Sequence, residues 1–286
     1  MAFGSIPPVV NGLCDDAAVF PPGLAPLPDA VKAYRHRLGA WYADLVGPLV
    51  LAADALPYLE PLLAGQEGTL PVSVTLPQGP SKLPRVFADV AGTPVQLRSV
   101  EVAVPAGMAP AEFADGLETS LDGAGDLDVY VEIPRDDRRD GVLEVVAGRW
   151  RAKFRTGGVR ADLYPTESEL ANALVAVLTA EVPFKATAGL HHALRNTDPA
   201  TGFEQHGFLN LLLATDALLS GGSEQSARTL LAERDGRTVA GLVRDLGDER
   251  AGRARRAFTS FGTCSVVDPL TELIDLGVVA GEGVTE

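Results

Sequence analysis

The feature that most constrains this chain is a regular alternation of short apolar runs with stretches of helical spacing, repeated from one end to the other. The runs fall at Ala17–Phe20, Leu49–Ala52, Val72–Leu76, Gln96–Val104, Val129–Ile133, Arg151–Arg155, Phe184–Ala188 and Phe261–Val266. Helical patterns follow them at Leu27–Leu45, Ala55–Leu63, Leu83–Val90, Ala111–Leu121, Gly141–Val146, Glu167–Ala180, Phe208–Leu219 and Pro269–Leu276. A strand that is always followed by a helix implies parallel pairing, because a parallel neighbour is reached only through a crossover long enough to hold a helix. Eight such pairs in 286 residues predict one closed (β/α)8 barrel over residues 1–286, an α/β fold in a single domain.

Local signals agree with these bounds. Thr166 and Glu169 have the spacing of a capping box, and Gly221-Gly222 is a strong helix stop. One insertion departs from the repeat. Ser223–Phe258, between the seventh helix and the eighth strand, carries Val239, Leu242, Val243 and Leu246 at helical spacing and predicts one or two extra helices. Its Arg250, Arg253, Arg255 and Arg256 read as a solvated face.

Charge narrows the partners. With 38 acidic against 24 basic residues the net charge is −14, which repels a nucleic-acid backbone or an anionic membrane. A small anionic substrate therefore requires a local basic pocket. Two cysteines, Cys14 and Cys264, with no Cys-x-x-Cys or His-x-x-x-His spacing, give no ground for a disulfide framework, a structural metal or a cofactor. The first residues lack the basic and apolar regions of a secretion signal, and no apolar stretch approaches 18 residues, so a cytoplasmic protein is expected.

Strand alternation then picks out the interior. With Val72, Val74 and Leu76 facing the helices, Ser73 and Thr75 face in; with Val100, Val102 and Val104 outside, Ser99 and Glu101 face in. The same rule places Asp128, Tyr130 and Glu132, then Lys153 and Arg155, then Lys185 and Thr187 inside. An inert barrel fills such positions with Val, Ile and Leu. Here Glu101, Glu132, Lys153, Arg155 and Lys185 converge from four consecutive strands, which reads either as an active site or as a stabilising ion-pair network.

The loops past these strand ends add further candidates. Thr156-Gly157-Gly158 offers backbone N–H groups to an anion, with Arg155 and Arg160 for charge. Gly189 to Arg195 holds His191, His192 and Arg195, and the polar segment Asn196–Gly207 reads as a mobile cover over the strand ends. Neighbouring histidines on extended backbone point apart, so His191 and His192 do not suit one metal. Cys264, with no base near it in sequence, reads as packing, and Asp15-Asp16 as a turn before the first strand.

Lys153-Phe-Arg-Thr-Gly157 on the sixth strand and Lys185-Ala-Thr-Ala-Gly189 on the seventh resemble deoxyribose-phosphate aldolase, a class I aldolase barrel. The resemblance implies Lys153 as the Schiff-base nucleophile and Lys185 as the charge that tunes it. It departs at Arg155, where that family has a small hydroxyl residue, at Glu101 in place of aspartate, and at His191-His192 in place of a phosphate-binding glycine stretch. Lys153–Gly158, Pro183–His192 and Ser260–Ser265 also resemble an uncharacterised group of bacterial and plant proteins.

The reading that joins residues and resemblance is a Schiff-base lyase for a small, phosphorylated or carboxylated carbonyl compound. Lys153 and Lys185 do the chemistry, and Glu101 or Glu132 shuttles protons. Arg155, Thr156, Gly157, Gly158, Thr187, His191, His192, Arg195 and Tyr130 contact the substrate. On this reading Lys185 and Arg155 depress the pKa of Lys153. Two alternatives stay open: a non-covalent barrel enzyme, either a phosphoribosyl transferase or a metal-assisted hydrolase, and a barrel that binds a ligand without turning it over.

Overall fold

The computed structural model describes residues 4–281. Eight parallel strands close into a barrel: β1 Cys14–Asp16, β2 Val46–Ala52, β3 Leu70–Leu76, β4 Val95–Ala103, β5 Asp128–Glu132, β6 Arg151–Arg155, β7 Phe184–Thr187 and β8 Phe258–Thr263. They pair in chain order, and β8 returns to β1 through Cys14 opposite Phe261 and Asp16 opposite Thr263. Helices α1 Leu27–Leu38, α2 Glu60–Leu63, α3 Leu83–Val90, α4 Pro110–Ser120, α5 Arg139–Val146 and α6 Glu167–Thr179 follow the first six strands.

The expected alternation holds where strands are long enough to display it. Val72, Val74, Val100, Val102, Val129 and Val131 all lie buried between sheet and helices. Burying such a Val or Leu side chain contributes about 1.5–3 kcal/mol, so this ring fixes the register of each strand. The capping box at Thr166 and Glu169 is formed in both directions and starts α6.

Corrections cluster at short or polar elements. The first strand is Cys14–Asp16, not Ala17–Phe20, and Asp15-Asp16 lie within it rather than in a turn. Three residues, two of them acidic, are too few to show a period, and all three are buried. The helix expected over Leu27–Leu45 stops at Gly39, and a separate 3-10 turn covers Ala43–Leu45. Pro57 likewise splits the second helix into a 3-10 stretch, Ala53–Tyr58, and the short α2. The last strand ends at Thr263, so Cys264 and Ser265 lie beyond it.

The insertion forms three helices, α8 Glu224–Ala232, α9 Gly236–Arg244 and α10 Gly247–Ala257, before α11 Val267–Asp275 closes the order. Their purpose is legible in α7 (Phe208–Leu219), which is apolar nearly all round and buried from Phe208 through Asp216. A helix of that kind needs cover on its outer side as well, and α8, α9 and α10 pack against it. The arginines expected on a solvated face partly pin this layer. Arg250 pairs with the buried Asp216 and Arg255 donates to the Asn11 carbonyl, 2.8 Å away.

Candidate active site

The inward groups of β4, β5, β6 and β7 meet as the alternation requires. Lys153 and Lys185 stand directly opposite one another on β6 and β7, with Glu132 opposite Lys153 on β5. Glu101 of β4 bridges the lysines: its Oε2 accepts from Lys153 Nζ at 2.9 Å and its Oε1 from Lys185 Nζ at 2.6 Å. Lys153 also reaches Glu132 Oε2 at 3.1 Å, and Arg155 Nε donates to Glu132 Oε1 at 3.2 Å. Lys185 is held on its far side by Asp15 Oδ2.

Asp15 is the member of this charged set that sequence reasoning missed. Its carboxylate occupies the barrel interior, accepts from Ser260 Oγ at 2.9 Å and completes a set of three carboxylates facing three cations. A signal for it existed. With Glu132 shared between Lys153 and the exposed Arg155, the two buried lysines both lean on Glu101, which leaves them one carboxylate short of a partner each. Gly47 on β2 is part of the same solution, because a side chain there would run into Asp15 Oδ1.

Electrostatics follow from this pairing. Burial alone would raise the Glu101 carboxyl, but Lys153 and Lys185 hold it well below the usual range. Glu132 lies below its ordinary value for the same reason, with burial outweighed by Lys153 and Arg155. Burial keeps Asp15 above its ordinary value despite Lys185. Both lysines move up: burial works against their charge, but Glu101 and Glu132 outweigh it at Lys153, and Asp15 and Glu101 at Lys185. The expectation that Lys185 and Arg155 would depress Lys153 is therefore corrected. Each cation is screened from the next by a carboxylate, and the resting amine is an ammonium.

Other predicted contacts distribute unevenly. Tyr130 forms a floor one layer below, its hydroxyl 3.0 Å from Thr259 Oγ1 and its ring centroid 5.1 Å from Lys185 Nζ. Thr156 is buried and donates to the Ala188 carbonyl at 2.7 Å, stapling the ends of β6 and β7. Ala188 and Gly189 both have left-handed backbone, φ +64° and +74°. Thr187 Oγ1 has no hydrogen-bond partner among the described residues.

At Gly157, an added Cβ would lie 2.6 Å from the Tyr164 ring and 2.8 Å from Gly189 Cα, and Gly158 is similarly covered by Leu163. Close packing accounts for these glycines without an anion. Arg195 lies apart from the lysines, buried and paired with Glu167 at 2.7 Å and Glu204 at 3.2 Å. It anchors Asn196–Gly207, which is no open loop: Asn196–Thr197 and Glu204–Gln205 pair as an antiparallel hairpin. His206 is buried with Nε2 2.7 Å from the Pro165 carbonyl, and burial lowers its pKa to about 4.

At the ends of β7 and β8, His192 Nδ1 lies 2.6 Å from Glu272 Oε1, which raises its pKa. His191 Nδ1 lies 3.4 Å from Cys264 Sγ. Among the described residues no three His, Cys, Asp or Glu side chains gather to hold a metal ion. A cavity of about 270 Å³ opens between α5 and α6 at the ends of β5 and β6, and Arg155 is the one member of the charged set on its wall.

This architecture has solved counterparts. A tetrameric deoxyribose-phosphate aldolase from Aeropyrum pernix superposes with a TM-score of 0.54 over 94% of this chain and 93% of its own, at 13% identity. The shared feature is the closed (β/α)8 barrel fold. Dihydrodipicolinate synthase from Oceanobacillus iheyensis aligns over 95% of this chain and 97% of its own at 14% identity, but its TM-score of 0.37 is too low to add to this. No family model matches the chain, and the likeness to an uncharacterised bacterial and plant group finds no support. No curated protein matches either. At these identities the barrel is what is shared. Among the described residues no helix is long and apolar enough to cross a membrane.

Proposed function

We propose that this barrel is a class I aldolase-like lyase that forms a Schiff base between Lys153 and a small carbonyl compound bearing a phosphate or carboxylate. The observation that carries the reading is the graded exposure of the charged set. Lys185 is 1% exposed and locked between Asp15 and Glu101. Lys153 is 6% exposed, and its second partner, Glu132, leads to an Arg155 side chain that is 41% exposed. Of the two amines Lys153 is the less buried, and its chain of ion pairs runs through Glu132 to the exposed Arg155.

A protonated amine does not attack a carbonyl, so the proton must leave first. Glu132 is positioned to take it, 3.1 Å from Nζ, but Lys153 and, after it, Arg155 hold its carboxyl low. An anionic substrate that draws the Arg155 guanidinium to itself removes Arg155's share of that hold and makes Glu132 a better proton acceptor. The amine then adds to the carbonyl carbon, a proton passes from the new ammonium to the alkoxide to give the carbinolamine, and Glu132 returns its proton to that hydroxyl, which departs as water and leaves the protonated imine. Substrate charge thereby switches on the nucleophile. Thr187 Oγ1, two residues beyond Lys185, is a polar contact within the same rim.

A second reading has one observation of its own: the three cations and three carboxylates balance, as a stabilising core without chemistry requires. Borohydride reduction in the presence of phosphorylated and carboxylated aldehydes and ketones separates the two. The expected result is a stable adduct mapped to Lys153, absent from Lys153→Ala. An adduct on Lys185 would exchange the roles. No adduct on either, from any member of the panel, would leave the balanced core as the reading.

A further inference from the structure

Cys264 and His191 lie outside the lysine–carboxylate set, and His191, expected from the sequence to contact the substrate, stands beside Cys264. Cys264 follows the last residue of β8, and His191 follows β7 by four residues, so two neighbouring strand ends bring them together. The thiol sulfur is 3.4 Å from His191 Nδ1, within the reach of an S–H donor. Cys264 is partly accessible, whereas the other thiol, Cys14, is fully buried and burial pushes its pKa well up. His191 is also only partly buried.

The chemistry of the pair follows from the state of the ring. Burial, and then the neighbouring His192, lower the pKa of His191, so at neutral pH the imidazole is uncharged and has a lone pair to offer. With the proton on Nε2, Nδ1 is the acceptor that faces sulfur. A thiol is a poor nucleophile and a thiolate a good one. A neutral base at hydrogen-bond distance lets the proton move as the sulfur attacks, without a thiolate standing exposed beforehand.

We propose that Cys264 and His191 form a second reactive site at the barrel rim, a base-assisted thiol that adds reversibly to the carbonyl carbon of small aldehydes. In that step the Sγ–C bond forms as the carbonyl π bond breaks. The thiol proton passes to His191 Nδ1 and from there to the new alkoxide oxygen, which gives a neutral hemithioacetal and returns the imidazole to its neutral form. No oxidant or reductant is consumed, and reversal regenerates thiol and aldehyde.

The test is alkylation of the full-length protein by iodoacetamide from pH 6.5 to 8, followed by peptide mapping. Labelling is expected at Cys264 and not at Cys14. A simple thiol with a pKa near 8.5 accelerates roughly twentyfold across that range. The base-assisted thiol is expected to change less than about threefold, because its base is already neutral throughout. His191→Gln is expected to restore the steep rise and to slow labelling at pH 7 by about tenfold or more. Millimolar propanal is expected to protect Cys264 in the wild type and equally in Lys153→Ala, which separates this site from any Schiff base. A wild-type profile as steep as that of N-acetylcysteine, or absence of protection by propanal, would overturn the proposal; the wild-type profile decides it even if His191→Gln does not fold.

Discussion

Lys185→Met is the most informative single perturbation of the barrel interior. Methionine nearly preserves the volume, so packing changes little, but the charged set goes from three cations facing three carboxylates to two facing three. Glu101 keeps Lys153 and the hydroxyl of Ser73 at 3.1 Å; Asp15 keeps only Ser260 among the partners described above. Removing one partner of a buried pair costs about 3–5 kcal/mol. For a chain of this size that lowers the melting temperature by roughly 6–20 °C. The cost should depend on pH in a diagnostic way. Asp15 already lies above its ordinary value through burial, and loss of Lys185 raises it further. A carboxyl raised in the folded state contributes stability that is fully present below its unfolded value and is lost as pH rises through the folded value. The gap between variant and wild type should therefore narrow by up to about 1.4 kcal/mol for each pH unit lowered toward pH 4. Urea unfolding followed by far-ultraviolet circular dichroism between pH 4.5 and 8 measures this. A cost below about 1 kcal/mol at pH 7, or one of that size that does not change with pH, would show that Asp15 and Lys185 do not form a buried pair.

Two further outcomes test the same interior. Gly47→Ala should destabilise by about 1–3 kcal/mol, read as a shift in the urea midpoint at constant m, because its new methyl competes with Asp15 Oδ1; a neutral substitution would refute the close approach. In acid, Glu101 and Glu132, both held low by their cations, contribute stability that is present above about pH 4.3 and lost as pH falls below it. Urea unfolding from pH 3 to 6 should show that acid limb, and Glu101→Gln should flatten it; equal acid sensitivity in the variant would place the effect elsewhere.

What the sequence disclosed depended on length of pattern. Seven residues of β3 display a period of two, and β4 displays it from Ser99 onward, past a register shift opposite Val72 and Ser73, so the inward placement of Ser73 and Glu101 could be read directly. Five residues of β6 sufficed for Lys153 and Arg155 because Phe154 marks the outer face. The three residues of β1 display nothing, and their two aspartates imitate a turn. Asp15 is recoverable only by counting charge. The pairing of Cys264 with His191 was hidden for another reason: 73 positions separate them, and the contact exists only because β7 and β8 are neighbours in a closed barrel. The glycines of Thr156-Gly157-Gly158 misled in the opposite direction. Glycine suits both an anion cradle and a tight backbone crossing, and only the position of Tyr164 shows the crossing.

The direction in which the charged set is graded bears on what each member can do. At one end Asp15, Lys185 and Glu101 are sealed, with every charge met by a partner that solvent does not reach. Little can change there without unfolding, so substitutions at that end should register as stability. At the other end Glu132 is shared between Lys153 and a guanidinium on the wall of an open cavity. Arg155 can exchange its carboxylate for a ligand anion at small cost, because exposed ion pairs are worth about 0–1 kcal/mol. That exchange changes the partner of Glu132, and Glu132 in turn sets how firmly Lys153 holds its proton. On the Schiff-base reading proposed above, Lys153 stays protonated until an anion arrives, and Arg155→Met should therefore alter the pH dependence of Lys153 trapping far more than the stability of the fold.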